Sequence, residues 1–223
     1  MLTDYHCHIL PAIDDGSDCK ETSDQMVALM RKQGVRRIVS TSHFYAHRER
    51  SVRRFLEKRQ EAFEKLSDKK NIFLGAEVAI EHGLSELKDI EKLAIEGTDL
   101  ILLELPYRPY EQWMSEEIYN ISAEYGLTVI LAHIHRYSDY YSKADIETIL
   151  GTKAIFQINN EAFGSFFQRY FVRKLIKEDY PLVFGSDSHN LGSRRPNWDL
   201  LLKKCGKETI ERSDSFFDQH MAD

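Results

Sequence analysis

Residues 99–132 read DLILLELPYRPYEQWMSEEIYNISAEYGLTVILA, and the order of three patterns within them decides the fold. DLILL at 99–103 and LTVILA at 127–132 are apolar at nearly every position, which predicts strands buried on both faces, as parallel strands covered by helices are. Residues 111–125 between them carry helical spacing, so the segment is a strand–helix–strand unit. The same alternation runs outward in both directions. Further strands are predicted at 3–6, 35–41, 71–77, 154–158 and 181–185, which brings the total to seven. A helix is predicted over 20–33, with Met26, Val27 and Met30 on one face and Gly34 as its stop. Others follow at 51–66, burying Phe55, Leu56, Ala62, Phe63 and Leu66, and at 167–177. No repeat, low-complexity stretch or proline-rich linker interrupts the pattern. One barrel-like α/β domain over residues 1–223 is the economical reading, with a doubly wound open sheet as the alternative.

Composition limits what such a domain can do. With 42% apolar residues, 12 Phe and 11 Tyr, the 223-residue chain can bury a core of its own. Thirty Lys and Arg against 36 Asp and Glu leave a net charge of −6, which disfavours nucleic acid and acidic membrane as general partners. Cys7, Cys19 and Cys205 are an odd set without CxxC spacing, so no bridge is expected and a reducing compartment fits. The opening MLTDYHCHILPAIDDG lacks a basic and apolar leader, and the run 100–103 is too short to span a bilayer, so a soluble cytoplasmic protein is expected.

Residues able to bind metal fall at the C-terminal ends of the predicted strands. His6 and His8 end the first, with Asp14 and Asp15 in the following loop; His43 ends the second, Glu77 the third, Glu104 the fourth, His133 the fifth, and Asp187 and His189 the seventh. In an α/β barrel that end is the shared mouth where active sites are built. The pairs His6/His8 and Asp187/His189 are two residues apart, which places each pair on one face of an extended strand, while Cys7 points the other way. So many buried acids and imidazoles require compensating cations. Mixed nitrogen and oxygen donors without thiolate suit manganese, iron or zinc. Nine candidates exceed the needs of one ion, and two or three close metals sharing carboxylates can generate hydroxide and clamp a phosphoryl group. Asp14 reads as a turn or capping residue beside Gly16.

The motifs H-C-H, D-D-G, T-S-H, G-A-E, L-E-L, A-H-I-H-R and G-S-D-S-H-N-L-G-S-R-R-P occur in this order, from Asp4 to about Pro196. Their set resembles the polymerase and histidinol phosphatase (PHP) superfamily, and within it the metal-dependent tyrosine phosphatases of bacterial capsule and exopolysaccharide operons. The resemblance implies a distorted seven-stranded, TIM-like β/α barrel with a trinuclear metal site, manganese first and iron or zinc as alternatives. Carried over residue by residue, it places His6, His8, Glu77 and Asp187 on one metal, and Glu77, Glu104 and His133 on a second. Asp15, His43 and His189 would hold the third. Arg136 and Arg194 fall on the phosphate-positioning arginines, and two guanidinium forks suit a phosphate dianion. The implied activity is hydrolysis of phosphotyrosine by a metal-bridging hydroxide, on a tyrosine autokinase tail, with homo-oligomerisation left open.

The chain departs from that pattern at two positions: His135 replaces a usual acid, and Arg195 replaces a usual proline and competes with Arg194 for phosphate. The general acid is left open, with His135 available. After Pro196 the chain is short, and the expectation is an abbreviated final helix. Phe44, Tyr45 and Tyr107 are read as rim aromatics that could hold a phosphotyrosine ring. Arg48, Arg50, Arg53, Arg54, Lys58 and Arg59, set against Glu49 and Glu57, read either as a dock for an acidic tail or as a solvated helix face. His47, His82 and His220 are given structural roles. A cysteine phosphatase is excluded, because the residues six places after the cysteines are Ile13, Gln25 and Glu211 rather than arginine. No Walker or GxGxxG loop occurs. A small-molecule phosphomonoesterase, such as a histidinol phosphatase, is the alternative within the same chemistry. A non-catalytic metal-binding or interaction module is the alternative outside it.

Overall fold

In the computed structural model, which describes residues 1–49 and 51–221, every strand runs parallel to its neighbours. The order is β1 (Thr3–Cys7), α1 (Lys20–Lys32), β2 (Arg37–Ser40), β3 (His43–Phe44), α2 (Val52–Glu64), β4 (Ile72–Leu74) and β5 (Glu77–Ala79). It continues with β6 (Leu100–Glu104), α3 (Gln112–Tyr125), β7 (Thr128–Leu131), α4 (Lys143–Leu150), β8 (Ile155–Asn159) and α5 (Phe166–Lys177). β9 (Leu182–Gly185), α6 (Trp198–Lys204) and α7 (Lys207–Gln219) complete it. All seven expected strands are present, but the sheet departs from the expected seven-stranded barrel. The ladders describe nine strands in two sheets, β1-β2-β4 and β3-β5-β6-β7-β8-β9. Two expected strands are each broken, by Thr41–Ser42 and by Gly75–Ala76, and resume in unchanged register: Ser40 faces Leu74 and His43 faces Glu77.

The doubly apolar strands reflect two separate cores. Tyr5, Val39, Leu100, Leu102, Ile130, Ile155 and Val183 form one cluster between the strands, closed by Phe217 of α7. The opposite faces, among them Ile38, Leu103, Leu131, Phe156 and Phe184, pack in the larger cluster shared with the helices. Helix α1 buries Ser23, Met26, Val27 and Met30 on one stripe and ends before Gly34, whose φ of +98° a side chain would resist. Past Pro196 the chain forms two helices, α6 and α7, where one abbreviated helix was expected.

Candidate metal centre

Strand alternation builds the site. On the face that carries Leu100 and Leu102 toward the inner cluster, the next position of that parity is Glu104. The same step leads from Phe73 to Glu77 and from Val183 to Asp187, so an apolar layer is followed by a polar one at the C-terminal ends. The nine expected ligand residues meet there. His6 Nε2 lies 3.0 Å from Glu77 Oε2 and 3.6 Å from Asp187 Oδ1, and His8 Nε2 is 3.1 and 3.6 Å from the same two atoms. On the other oxygen, His133 Nε2 is 2.9 Å from Glu77 Oε1 and 3.5 Å from Glu104 Oε1. Asp15 Oδ1 is 3.3 Å from His43 Nε2 and 3.5 Å from His189 Nε2.

The grouping differs in detail from the expected one. His8 stands with Asp15, His43 and His189 as well as with His6 and Asp187, and His43 also joins Glu77 and Glu104. Each group offers donor atoms within 4.8 Å of one another. The fit to divalent cations rests on donor chemistry and on orphaned atoms: His43 Nδ1 and His189 Nε2 are buried and make no hydrogen bond. His133 and Asp187 also adopt left-handed backbone, at φ 31° and 48°, which costs free energy and persists where the surroundings enforce it.

Charge is balanced tightly. Burial would raise Glu77, but His6 and the hydrogen bonds from His133, His6 and His8 hold its carboxyl well below the usual range. Burial pulls His8 down, yet hydrogen bonds to Asp14 and Glu77 prevail and raise it to about 10. His133 is likewise raised to about 9 by Glu104 and Glu77 against the effect of burial. Asp14, expected in a turn, does accept the Gly16 N–H at 2.9 Å, but its other oxygen holds His8 Nδ1 and the His43 N–H, each at 2.9 Å. It therefore orients His8, a role the sequence reading missed. Gly16 is dictated by the same packing: a Cβ there would lie 2.4 Å from the His8 carbonyl oxygen.

Both expected phosphate arginines reach this centre. Arg136 Nη1 and Arg194 Nη2 each lie 2.9 Å from the Asp187 carboxylate, and Arg136 also pairs with Glu161. Arg195 is exposed and makes no ion pair or hydrogen bond among the described residues, so of the two neighbours Arg194 faces the site. Tyr107 is 41% exposed, with its hydroxyl 3.2 Å from His133 Nδ1 and its ring stacked on that imidazole. Tyr45 stacks on His43. Phe44 is a correction: it is 1% exposed and packs edge-on against Phe55 at 5.2 Å, because strand alternation turns it away from the mouth that His43 faces.

His135 is buried, with neither ring nitrogen hydrogen-bonded. Burial, with the charges of Arg136 and His133, keeps it well below the usual histidine range, so it is neutral and not charged as a proton donor. The basic stretch is largely consumed locally: Arg53 pairs with Glu57, Lys58 with Glu49, Arg59 donates to the Gly75 carbonyl, and Arg48 lies over Tyr45. Arg50 lies outside the described residues. His47, His82 and His220 keep structural roles, against Glu81, Trp113 and Asp99. The three cysteines are free, and among the described residues no helix is long and apolar enough to cross a membrane.

Comparison with known proteins accords with this geometry. Residues 2–217 match the family model for capsular polysaccharide synthesis proteins, CpsB/CapC. The tyrosine-protein phosphatase CpsB of Streptococcus pneumoniae is 31% identical over 226 residues, covering 92% of this chain and 91% of that protein. The tyrosine-protein phosphatase YwqE of Bacillus subtilis is 26% identical, over 86% of this chain and 79% of its own length. A solved structure from the work on B. subtilis YwqE and S. pneumoniae CpsB, described as unique metal-dependent tyrosine phosphatases, superposes with a TM-score of 0.74 at 22% identity. That match covers 94% of this chain and 90% of the other, and it shows a shared fold.

Proposed function

The chain belongs to the CpsB/CapC family of capsular polysaccharide synthesis proteins, and from that premise we propose that it is a metal-dependent protein tyrosine phosphatase. The observation that carries the reading is the convergence of nitrogen and oxygen donors at one mouth, eight residues in three overlapping groups and His133 beside Glu77 and Glu104, with two guanidinium groups meeting on the Asp187 carboxylate among them. His6, His8, Asp187, Glu77, Glu104, His133, Asp15, His43 and His189 would hold two or three divalent ions, manganese first. When bound, such ions supply Lewis acidity and lower the pKa of water toward neutrality.

The chain's own residues do the rest. Arg136 and Arg194 hold the non-bridging phosphoryl oxygens through paired N–H donors and neutralise charge as it develops. Burial works against the charge on Arg136, but the Asp187 and Glu161 carboxylates outweigh it and keep the guanidinium charged at every relevant pH. Tyr107, half-exposed on the rim, offers a face for the substrate ring. A phenol has an ordinary pKa of about 10, so tyrosinate leaves with less need of a proton donor than an alkoxide, consistent with a neutral His135. The substrate class is a phosphotyrosine-bearing protein, with a tyrosine autokinase tail as the specific proposal. The parallel contact of Cys7 of β1 with Ser188, just beyond the end of β9, supports reading the two sheets as one distorted seven-path barrel.

The test is phosphate release from a phosphotyrosyl peptide, with and without manganese, by the wild type and His6→Ala, beside histidinol phosphate. Manganese-dependent turnover of the peptide, lost in the variant, is expected. Preference for histidinol phosphate would move the function to small-molecule metabolism, and no turnover of either would leave a non-catalytic module.

A further inference from the structure

We propose that Gln157 is a positioning residue that fixes which nitrogen of His6 faces the metal centre; the inference rests on the metal-centre reading above. β8 is the strand to which sequence reasoning assigned no functional residue, yet its inward positions carry two fully buried amides, Gln157 and Asn159, after the apolar Ile155. The orientation of the whole network follows from one group whose role is not adjustable. The His133 backbone N–H can only donate, and it lies 2.7 Å from the terminal Gln157 atom that must therefore be the carbonyl oxygen, Oε1. The same oxygen is 3.2 Å from His6 Nδ1. An oxygen that only accepts requires Nδ1 to carry a hydrogen, so the lone pair available to a cation is on Nε2. Nε2 is the atom that faces Glu77 Oε2 at 3.0 Å and Asp187 Oδ1 at 3.6 Å.

The other end of the amide extends the same logic to Asp187. Gln157 Nε2 donates to Asn159 Oδ1 at 3.0 Å, and Asn159 Nδ2 donates to Asp187 Oδ2 at 2.8 Å. Asp187 Oδ2 also receives Arg136 Nη1 at 2.9 Å, while Arg194 Nη2 straddles the carboxylate, 2.9 Å from Oδ1 and 3.0 Å from Oδ2; Oδ1 is the oxygen that lies 3.6 Å from both His6 Nε2 and His8 Nε2. One buried side chain thus sets the donor atom of His6, anchors the backbone of His133 and, through Asn159, orients Asp187. β9 is cut to leave room for it: a Cβ on Gly185 would sit 2.9 Å from Gln157 Nε2.

The test compares Gln157→Leu, which removes the acceptor, with Gln157→Glu, which keeps an acceptor oxygen at the same reach. Manganese affinity of chelator-stripped protein is measured by competition with a fluorescent chelator, beside melting in excess chelator and turnover as a function of manganese. Gln157→Leu is expected to weaken manganese binding by about 10–100-fold, as loss of a partner that orients a ligand does, and to recover turnover as manganese is raised. Gln157→Glu is expected to lose less than about tenfold. Should the leucine variant not fold, Gln157→Asn, which draws the oxygen back by one carbon, makes the same comparison. Wild-type affinity in a folded Gln157→Leu or Gln157→Asn variant would overturn the proposal and leave the metal centre standing. Equal losses in the leucine and glutamate variants, with both melting as the wild type does, would overturn the acceptor argument. A wild type that binds no manganese would overturn the metal-centre reading, and this proposal with it.

Discussion

Adding a single methyl group at Gly185 tests whether the site depends on the close approach of β9 to β1. A Cβ built there would lie 2.7 Å from His6 Cβ, 2.8 Å from His6 N and 2.9 Å from Gln157 Nε2. Carbon pairs are comfortable only at about 3.5–4.0 Å, so the strands must separate by roughly 1 Å. Two of the three obstructing atoms belong to the backbone and Cβ of His6 and cannot swing aside. Overpacking of this kind costs about 1–3 kcal/mol. In a domain of this size each kcal/mol moves the melting temperature by about 2–4 °C, so Gly185→Ala should melt about 2–12 °C lower. The larger effect falls on chemistry, because the displaced residue is a proposed ligand and a 1 Å misplacement can cost about 100-fold in rate. The assay pairs thermal melting by circular dichroism with kcat/KM on a phosphotyrosyl peptide at saturating manganese. Gly192→Ala is the control, since its new Cβ would meet only Asn190 Oδ1 at an ordinary 3.5 Å. If Gly185→Ala melted and turned over like that control, the claim that the strands are packed to contact behind His6 would be wrong.

Three further outcomes are expected. Arg136→Ala should lower turnover by about 10²–10³-fold while manganese content stays at the wild-type level, because Arg136 touches Asp187 and Glu161 but belongs to none of the donor groups; full activity would remove it from the phosphate site. In chelator-treated protein, His8 at about 10 and His133 at about 9 stand above the ordinary 6.5, so the stability they contribute is complete below about pH 6.5 and lost as pH rises through 9 and 10. The melting temperature of that form should therefore fall between pH 6.5 and 10, with protons released on manganese binding over the same window, and a flat profile would refute the assignment. Asp14→Ala should weaken manganese binding by about 10–100-fold, since it frees His8 Nδ1, and an unchanged titration curve would return Asp14 to a purely turn-forming role.

Residues whose place in the candidate site is announced by position and residue type together were legible in the sequence. Glu77, His133 and Asp187 are nearly fully buried where the expected apolar strands end, with Glu104 partly buried beside them, and a charged or imidazole side chain in such a place needs a partner. The broken strands were not legible, because Thr41–Ser42 and Gly75–Ala76 interrupt the ladder without shifting its register, and the side-chain pattern continues across the gap. Helix α4 was missed although Ser142 and Asp145 form a capping box, since its apolar stripe is only eight residues long. Phe44 reads as a rim residue by its adjacency to His43, whereas in a strand the next residue faces the opposite way and Phe44 is buried.

Gln157 and Asn159 differ in kind from these misses, because neutral amides carry no charge to mark them. Their signal was parity: in the strand IFQIN both fall on the positions that continue Ile155 inward, where an apolar residue would satisfy the core at no polar cost. A fully buried amide in such a place must have its hydrogen bonds met, and only other polar groups at the strand ends could meet them. Burial also marks Asp4, on the helix side of β1, where its register partner Ile38 packs in the larger cluster: it is fully buried and accepts from Ser186 N at 2.9 Å and Trp198 Nε1 at 2.7 Å. These two bonds tie the start of the Asp187 loop and the start of α6 to β1. Buried polar residues on the strands therefore mark both the candidate donors of the centre and the groups proposed to aim them, and the second set is found only by asking which buried amide or carboxylate has no reason to be in an apolar strand.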